Sequence, residues 1–530
     1  MEITLYFLSL IGSGAGFMTQ MLVSGYWTTA FSQDVFYYSI NLAFYLLALG
    51  IGSLLSNRIR KPQLRDLGLI ILGLLLISGI AIPFLRWGIK NFGNAILVPM
   101  IVVISTGVMN GMVIPLTLKV GENYQRMSLG LLFFIDYSAA TLFAFLFTFV
   151  LLIPLGYSKT GLFLAIGSSW LVMAALGWQK QLGRLELIGG LLILLLPPLF
   201  YFGTGAHRAP RMDRTGISKI IHNEQSHYQK IVLTEEQPSH EVSQEKLQHV
   251  LFLDGFVQFS SIDEQSYHMC LADIPMLAAS YQKTKAKNIL ILGGGDGLAA
   301  RNFLKNPRVE KITMVELDPA MIKLASENPI IRKYNNNSLN NPKVEIIVAD
   351  AFRWVQDKQE ILKGRFDIIV IDFPAPKNLT LARLFSAEFY RAAFKLVAPK
   401  GFISIQAGPS YSFEDPLRKT LSQVTSSILK TINSIGYRAF PYVTPQNSES
   451  FVLVTLDAAF DMEKFSRSIG IYTGGVMSFF CRYDRGWIIP EVEKNTLNTL
   501  HLSRYMIDWF KKAGDTFFYY RGNHLVFLPE

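Results

Sequence analysis

The chain has 530 residues, 50% of them apolar and 17% charged, with a formal net charge of +10. The basic excess comes without a basic helix, zinc-ligand spacing or aromatic-basic interleaving, which argues against a nucleic-acid partner; part of it lies in loops between apolar segments, where it suits a membrane surface. Two cysteines, Cys270 and Cys481, have no metal-ligand spacing and predict neither a metal site nor a disulfide, in keeping with a reducing compartment.

Before about residue 203 the sequence runs through seven apolar segments, near 4–25, 36–55, 67–85, 95–117, 129–153, 160–177 and 186–202. Each approaches the roughly 20 residues that a bilayer core about 30 Å thick takes as a helix. The first lacks a basic start and reads as a span, not a leader. The last is the weakest, because it carries Pro197-Pro198. Asp136, inside LLFFIDYSAATLF, is costly in lipid unless paired or protonated, and marks either a small-molecule or proton path or a helix-helix hydrogen bond. Gly12, Gly14, Gly16, Gly107 and Gly111 predict close helix packing.

Arg208, Arg211, Arg214 and Lys219 follow the last segment and favour a cytoplasmic domain after it, although the loop with Arg58, Arg60, Lys61 and Arg65 would then face outward. The expectation is an N-terminal α-helical integral membrane domain over 1–203, multi-pass in the cell membrane, and a basic linker over 204–217.

From 218 to 262, KIIHNEQSHYQKIVLTEE and HVLFLDGFVQFSS alternate as short strands, with Asp254-Gly255 as a hairpin signal, and predict a small β module. His222, His227 and His249 read as surface or turn residues in it. An amphipathic helix follows from about Asp263 to Tyr281, with Cys270 packed along it.

In NILILGGGDGLAARNFLK a buried strand, Ile289 to Leu292, runs into Gly293-Gly294-Gly295-Asp296-Gly297 and a helix from about Leu298. The next strand ends at Glu316, about 20 residues on, where doubly wound folds place a carboxylate on ribose hydroxyls. Two further strand ends carry Asp350 and Asp372. Ligands in open parallel sheets bind at the carboxyl ends of strands, so Asp296, Glu316, Asp350 and Asp372 are expected around one crevice. Asp296 in the turn would repel a pyrophosphate and attract a cation, which favours S-adenosylmethionine or its decarboxylated form over a dinucleotide. Residues 263–457 are thus expected to form an α/β Rossmann-like domain of methyltransferase type. A C-terminal extension, 458–530, holds a helix near Leu500 to Lys511.

SHYQ at 226–229, LDGFVQ with DEQSYH at 253–268, GGGDG at 293–297, VELD at 315–318, DA at 350–351 and IDFP at 371–374 together resemble the spermidine synthase, or polyamine aminopropyltransferase, family. LFSAEFY at 384–390 and GFISIQ at 401–406 extend the likeness, which covers about Ser218 to Leu456. The resemblance implies transfer of an aminopropyl group from decarboxylated S-adenosylmethionine, a co-substrate, to an amine. Putrescine is the default acceptor, giving spermidine and methylthioadenosine. It further implies that Gln229, Asp296, Glu316, Asp350 and Ala351 bind the donor, and that Tyr267, His268 and Asp296 line the aminopropyl and amine channel. Asp372 is implied as the base, with no metal, and homo-oligomers as a family habit. Tyr442 matches a tyrosine at the site's edge.

Three positions depart from the family pattern. Ala375 stands where a second aspartate is expected, Met269 where a glutamate follows Tyr-His, and Glu449-Ser450-Phe451 where the family has Trp-Gly-Phe. The donor side is nearly intact and the acceptor side altered. An amine methyltransferase and a non-catalytic polyamine or nucleoside sensor, or a transport-coupled domain, therefore stand as alternatives.

Overall fold

The computed structural model describes residues 1–31, 34–92, 97–122, 128–203, 219–236, 248–254, 256–409, 421–444, 449–472, 491–506 and 508–509. The chain divides into two compact units, the first running from Met1 to Gln225 and the second from Ser226 to Asn523. The expected linker, 204–217, Gly255 of the expected hairpin turn and Cys481 lie outside the described residues.

The first unit holds α1 (Glu2–Phe31), α2 (Asp34–Leu55), α3 (Leu64–Phe92), α4 (Leu97–Gly121), α5 (Leu129–Phe145), α6 (Leu152–Trp178) and α7 (Arg184–Gly203), and ends in strand β1 (Lys219–Gln225). All seven helices contribute a stretch long and apolar enough to cross a membrane. Leu5, Leu8 and Ile11 of α1 meet Leu67, Ile71 and Leu74 of α3 and Val113 and Leu116 of α4 in a closed core. Large apolar side chains elsewhere point outward, among them Leu54, Phe134, Phe149, Trp170 and Leu199, each more than 60% exposed.

The glycines act as spacers. Gly107 and Gly111 of α4 lie against the α2 backbone at Tyr45 and Leu49, and a Cβ on Gly16 would come within 2.5 Å of Asn110. The sixth span begins earlier than its sequence pattern suggests. A π turn over Leu146–Leu151 follows α5, and Gly156, with φ 68° and ψ −175°, breaks the winding inside Leu152–Trp178 so that the chain turns without a loop and helix resumes directly after it. Pro197 and Pro198 sit inside an unbroken α7. Asp136 has a side-chain partner in Ser13 of α1.

In the second unit β2 (Lys230–Glu236), β3 (Gln248–Leu253) and β4 (Phe256–Ser260) form an antiparallel meander. The expected helix over 263–281 runs from Glu264 to Tyr281 without a gap, as α8 (Glu264–His268), a π turn over Met269–Asp273 and α9 (Ile274–Tyr281). Pro275 accounts for the local change of winding, since it offers no N–H and its ring crowds the preceding turn. Cys270 in that turn is buried and disulfide-bonded, which corrects the expectation of no disulfide; spacing along the chain does not report distance in the fold.

The α/β layer then runs β5 (Asn288–Gly293), α10 (Leu298–Leu304), β6 (Lys311–Glu316), α11 (Pro319–Glu327), α12 (Pro329–Tyr334), β7 (Val344–Val348), α13 (Ala351–Lys358), β8 (Phe366–Asp372), α14 (Leu379–Ala382), α15 (Ala387–Phe394), β9 (Val397–Pro409), α16 (Gln423–Asn433), β10 (Arg438–Val443), β11 (Glu449–Thr455) and α17 (Met462–Tyr472). The sheet order is β10-β11-β9-β8-β5-β6-β7, parallel from β7 to β9 and antiparallel at β11 and β10. Strands such as Ile289–Leu292 and Ile368–Ile371 are covered on both faces, as their unbroken apolar runs require. Leu502, Met506 and Trp509 join this core, so part of the segment after 457 packs with the layer.

Candidate functional site

The chain leaves β5 for β6 and β7 on one side and returns to β8 and β9 on the other. The carboxyl ends of β5 and β8 therefore flank the point where strand order reverses, the place at which open α/β sheets receive ligands. Gly293 and Asp372 are direct cross-strand partners there. Gly293 has φ 88°, and a Cβ on it would collide with the carbonyl oxygen of Asp372, so the tight turn after β5 needs glycine at that position.

Around this point the structure groups Asp372, Asp296, Tyr267 and His268. Tyr267 donates its hydroxyl hydrogen to Asp372 Oδ1 at 2.8 Å. Burial pushes the Asp372 carboxyl up to about 6, and the nearby Asp296 charge pushes the same way, against the pull of His268 and the Tyr267 hydroxyl. A carboxylate held near 6 is ionised at neutral pH yet basic enough to take a proton.

His268 is held from below. Its Nδ1 lies 2.7 Å from the Glu264 carbonyl oxygen, and Arg301 clamps the Glu264 carboxylate with bonds of 3.0 and 2.8 Å. Burial disfavours charge on His268, but the Glu264 side chain and the charges of Asp296 and Asp372 outweigh it and raise its pKa. Its Nε2 is buried and has no hydrogen-bond partner among the described residues. A buried polar atom left without a partner is costly, which makes Nε2 a ready contact for a ligand. Glu264 and Arg301 were not singled out in the sequence, where an acid and a base 37 positions apart carry no signal.

Glu316 ends β6 and bends back to the glycine turn, accepting the Gly295 N–H at 3.2 Å and the Asp318 N–H at 3.0 Å. Burial pushes its carboxyl up to about 7 despite these bonds. Gln229 does not touch Glu316 directly. Its Nε2 donates to Asp318 Oδ2 at 3.0 Å, beside the Ser226 hydroxyl at 2.7 Å on the same oxygen. Asp318, the last residue of VELD, thus links Gln229 to the Glu316 loop while its other oxygen caps α11.

Asp350 caps α13 through the Phe352 and Arg353 N–H groups and pairs with Arg383 at 2.6 Å. Burial opposes ionisation of Asp350, but Arg383 and these bonds hold its pKa below the usual carboxylate range. Ala351 is the first residue of α13 and is buried. Asp296 lies just before Gly297, the N-cap of α10, and accepts the Leu298 N–H at 2.9 Å. The four acids therefore have distinct settings at the strand ends. Asp296 and Asp372 interact with each other, Glu316 hydrogen-bonds the glycine turn, and Asp350 is anchored to Arg383.

Tyr442 is fully interior; its hydroxyl donates to the Cys270 carbonyl oxygen at 2.9 Å and meets Ser404 at 3.0 Å. That is a packing role behind the π turn. His249 contacts the Tyr334 hydroxyl at 2.9 Å, and His222 contacts Glu224 at 3.1 Å. Among the described residues no group of three or more His, Cys, Asp or Glu side chains could hold a metal ion.

Comparison with known proteins gives a consistent picture. Residues 264–457 match the spermine/spermidine synthase domain. The chain is 30% identical to a polyamine aminopropyltransferase of Leptospira interrogans over 86% of this chain and 88% of that one. It is 30% identical to polyamine aminopropyltransferase 2 of Aquifex aeolicus over 91% and 94%. Matches of that extent reach into the helical unit. A polyamine aminopropyltransferase of Mycobacterium tuberculosis is 39% identical over 36% of this chain and 34% of its own. A crystal structure of spermidine synthase in complex with the transition-state analogue AdoDATO superimposes with a TM-score of 0.38 at 23% identity, covering 54% of this chain and 84% of that one.

Proposed function

The chain belongs to the polyamine aminopropyltransferase family, and we propose that it works from a membrane, with Asp372 as the base that deprotonates an amine acceptor. It is a transferase that moves an aminopropyl group in polyamine synthesis. The donor of the family is decarboxylated S-adenosylmethionine, a co-substrate.

In this reading Glu316, Gln229 acting through Asp318, Asp350 and Ala351 hold the methylthioadenosine part. Asp296 faces the donor's ammonium, and Tyr267 and His268 line the channel to the acceptor. A primary amine is protonated at neutral pH and must lose a proton before its nitrogen can attack. The nitrogen of the acceptor then forms a bond to the donor carbon next to sulfur, the carbon–sulfur bond breaks, and methylthioadenosine leaves as a neutral thioether. The proton passes to Asp372. Carboxylates on both sides also fix the cationic partners in line, which lowers the entropic part of the barrier. The observation that carries this assignment is the Tyr267 hydroxyl on Asp372 beside Asp296, at the strand-order reversal.

Putrescine is the acceptor proposed by default. The outward apolar faces of α2, α5, α6 and α7 support a multi-pass membrane domain over 1–203, and the basic run at Arg208, Arg211 and Arg214 supports a cytoplasmic catalytic domain. Turnover is tested by incubating the full chain in detergent or vesicles with decarboxylated S-adenosylmethionine and putrescine and following methylthioadenosine. Release that requires the amine supports the reading. Donor binding without release from any amine removes it in favour of a sensor.

A further inference from the structure

Every residue assigned to aminopropyl transfer lies in the second unit, yet the helices of the first bury polar groups that their packing does not use. Among the described residues of the seven helices, Glu2, Asp34, Asp66 and Glu186 stand in first turns, and Asp136 is the one acid placed mid-helix, in α5. A carboxyl at that depth is a functional position by default.

Ser13 of α1 is hydrogen-bonded to Asp136. One turn on, Gly16 lets α4 approach so closely that a Cβ there would stand 2.5 Å from Asn110 Cγ. Asn110 Nδ2 donates to the Tyr45 hydroxyl of α2 at 2.8 Å, and the charge of Asp136 acts on that same hydroxyl. Four helices, α1, α2, α4 and α5, therefore bring polar groups to one place.

The amides there are incompletely bonded. Asn110 Oδ1 is buried with no hydrogen-bond partner among the described residues. Gln20, one turn beyond Gly16 on the same face of α1, is fully buried; it gives Nε2 to Ser24 at 3.1 Å and leaves Oε1 without a partner. Asn41, one turn before Tyr45 on α2, is fully buried with neither amide atom bonded. Successive spans run in opposite directions, so the turn after Gly16 and the turn before Tyr45 come to the same level of the bundle. Buried polar atoms without partners are costly, and several together mark a place where a polar ligand completes the bonding.

Three of these four orphaned atoms are amide oxygens, so the ligand must bring donors. A proton on Asp136 would leave the amides as they are. Sodium sites in membrane bundles draw on the carbonyls of unwound helices, whereas α1, α2, α4 and α5 are continuous through this level. An ammonium group carries three N–H donors on a compact head, and the two oxygens of Asp136 can hold Ser13 and that head together.

We propose that α1, α2, α4 and α5 form a binding site for the ammonium group of an amine, with Asp136 as counter-charge and the amides of Gln20, Asn41 and Asn110 as acceptors. The site lies wholly in the first unit, and amine binding there does not require turnover.

The test is equilibrium binding of labelled 1,4-diaminobutane to the full chain in detergent at low salt, without donor. Asp136→Asn and Asn110→Ala should each weaken one class of sites by about tenfold. The double variant Asp296→Asn with Asp372→Asn should leave that class in place. Retained binding of methylthioadenosine, which belongs to the second unit, shows that a variant has folded; if Asp136→Asn fails this check, Asn110→Ala decides. Diamine binding that survives the double variant and is lost in Asp136→Asn supports the proposal, whether or not wild type turns over. Binding unchanged in both Asp136→Asn and Asn110→Ala overturns it, and so does Asp136-dependent binding of labelled sodium in place of the diamine. Binding lost only in the double variant overturns it while leaving the transferase reading intact.

Discussion

The Tyr267 hydroxyl donates to Asp372 at 2.8 Å, joining the helix before β5 to the end of β8. That bond stabilises the ionised form of Asp372 against burial and the repulsion of Asp296. Removing it with Tyr267→Phe should cost about 1 kcal/mol of that stabilisation. The acid limb of the rate profile should then move upward by about 0.7 pH unit, since one unit corresponds to about 1.4 kcal/mol. A profile that does not move would separate Tyr267 from the base.

The wild-type profile has a definite sign. Asp372 titrates near 6, above the ordinary carboxylate value, so its basic form is lost as pH falls through 6. We expect kcat/KM for the amine to drop about tenfold per unit below that point and to be insensitive to Asp372 above it. Initial rates from pH 5 to 8 at saturating donor measure this.

Asp372→Asn removes the proton acceptor and leaves the donor contacts in place. Turnover should fall by about 10² to 10⁴-fold, the usual worth of a positioned base. Donor affinity, read by calorimetry with methylthioadenosine, should stay within a few-fold.

Arg301 and Glu264 form a bidentate, largely buried pair beneath His268. Arg301→Ala leaves the buried carboxylate with His268 as its remaining side-chain partner and should lower stability by about 3 kcal/mol. Burial raises the pKa of Glu264, yet its bonds to His268 and Arg301 hold it at about 2, below the unfolded value. Its contribution is therefore full above about pH 4.5 and lost as pH falls toward 2. Chemical denaturation of wild type at pH 7 and pH 3 should differ by more than that of Arg301→Ala.

Much of the site was legible because its signals are local. Gly293 to Gly297 after a four-residue apolar strand, and acids at successive strand ends, follow from the chemistry of a turn and a sheet edge. What escaped are relationships between distant segments. Arg301 with Glu264, Arg383 with Asp350 and Glu449 with Gln406 are pairs of common surface residue types, and only the fold makes them neighbours. The π turn at Met269–Asp273 and the reversal at Gly156 escaped for another reason. Hydrophobic periodicity registers a helix but not a local change in its winding.

The central claim is that the residues around Asp372 move an aminopropyl group to an amine. Its most direct measurement is methylthioadenosine formed by the full chain from decarboxylated S-adenosylmethionine, with and without putrescine, in wild type and Asp372→Asn. Amine-dependent release in wild type and its loss in Asp372→Asn is the predicted result. Equal release in the two proteins, or none in either while the donor binds, would contradict it.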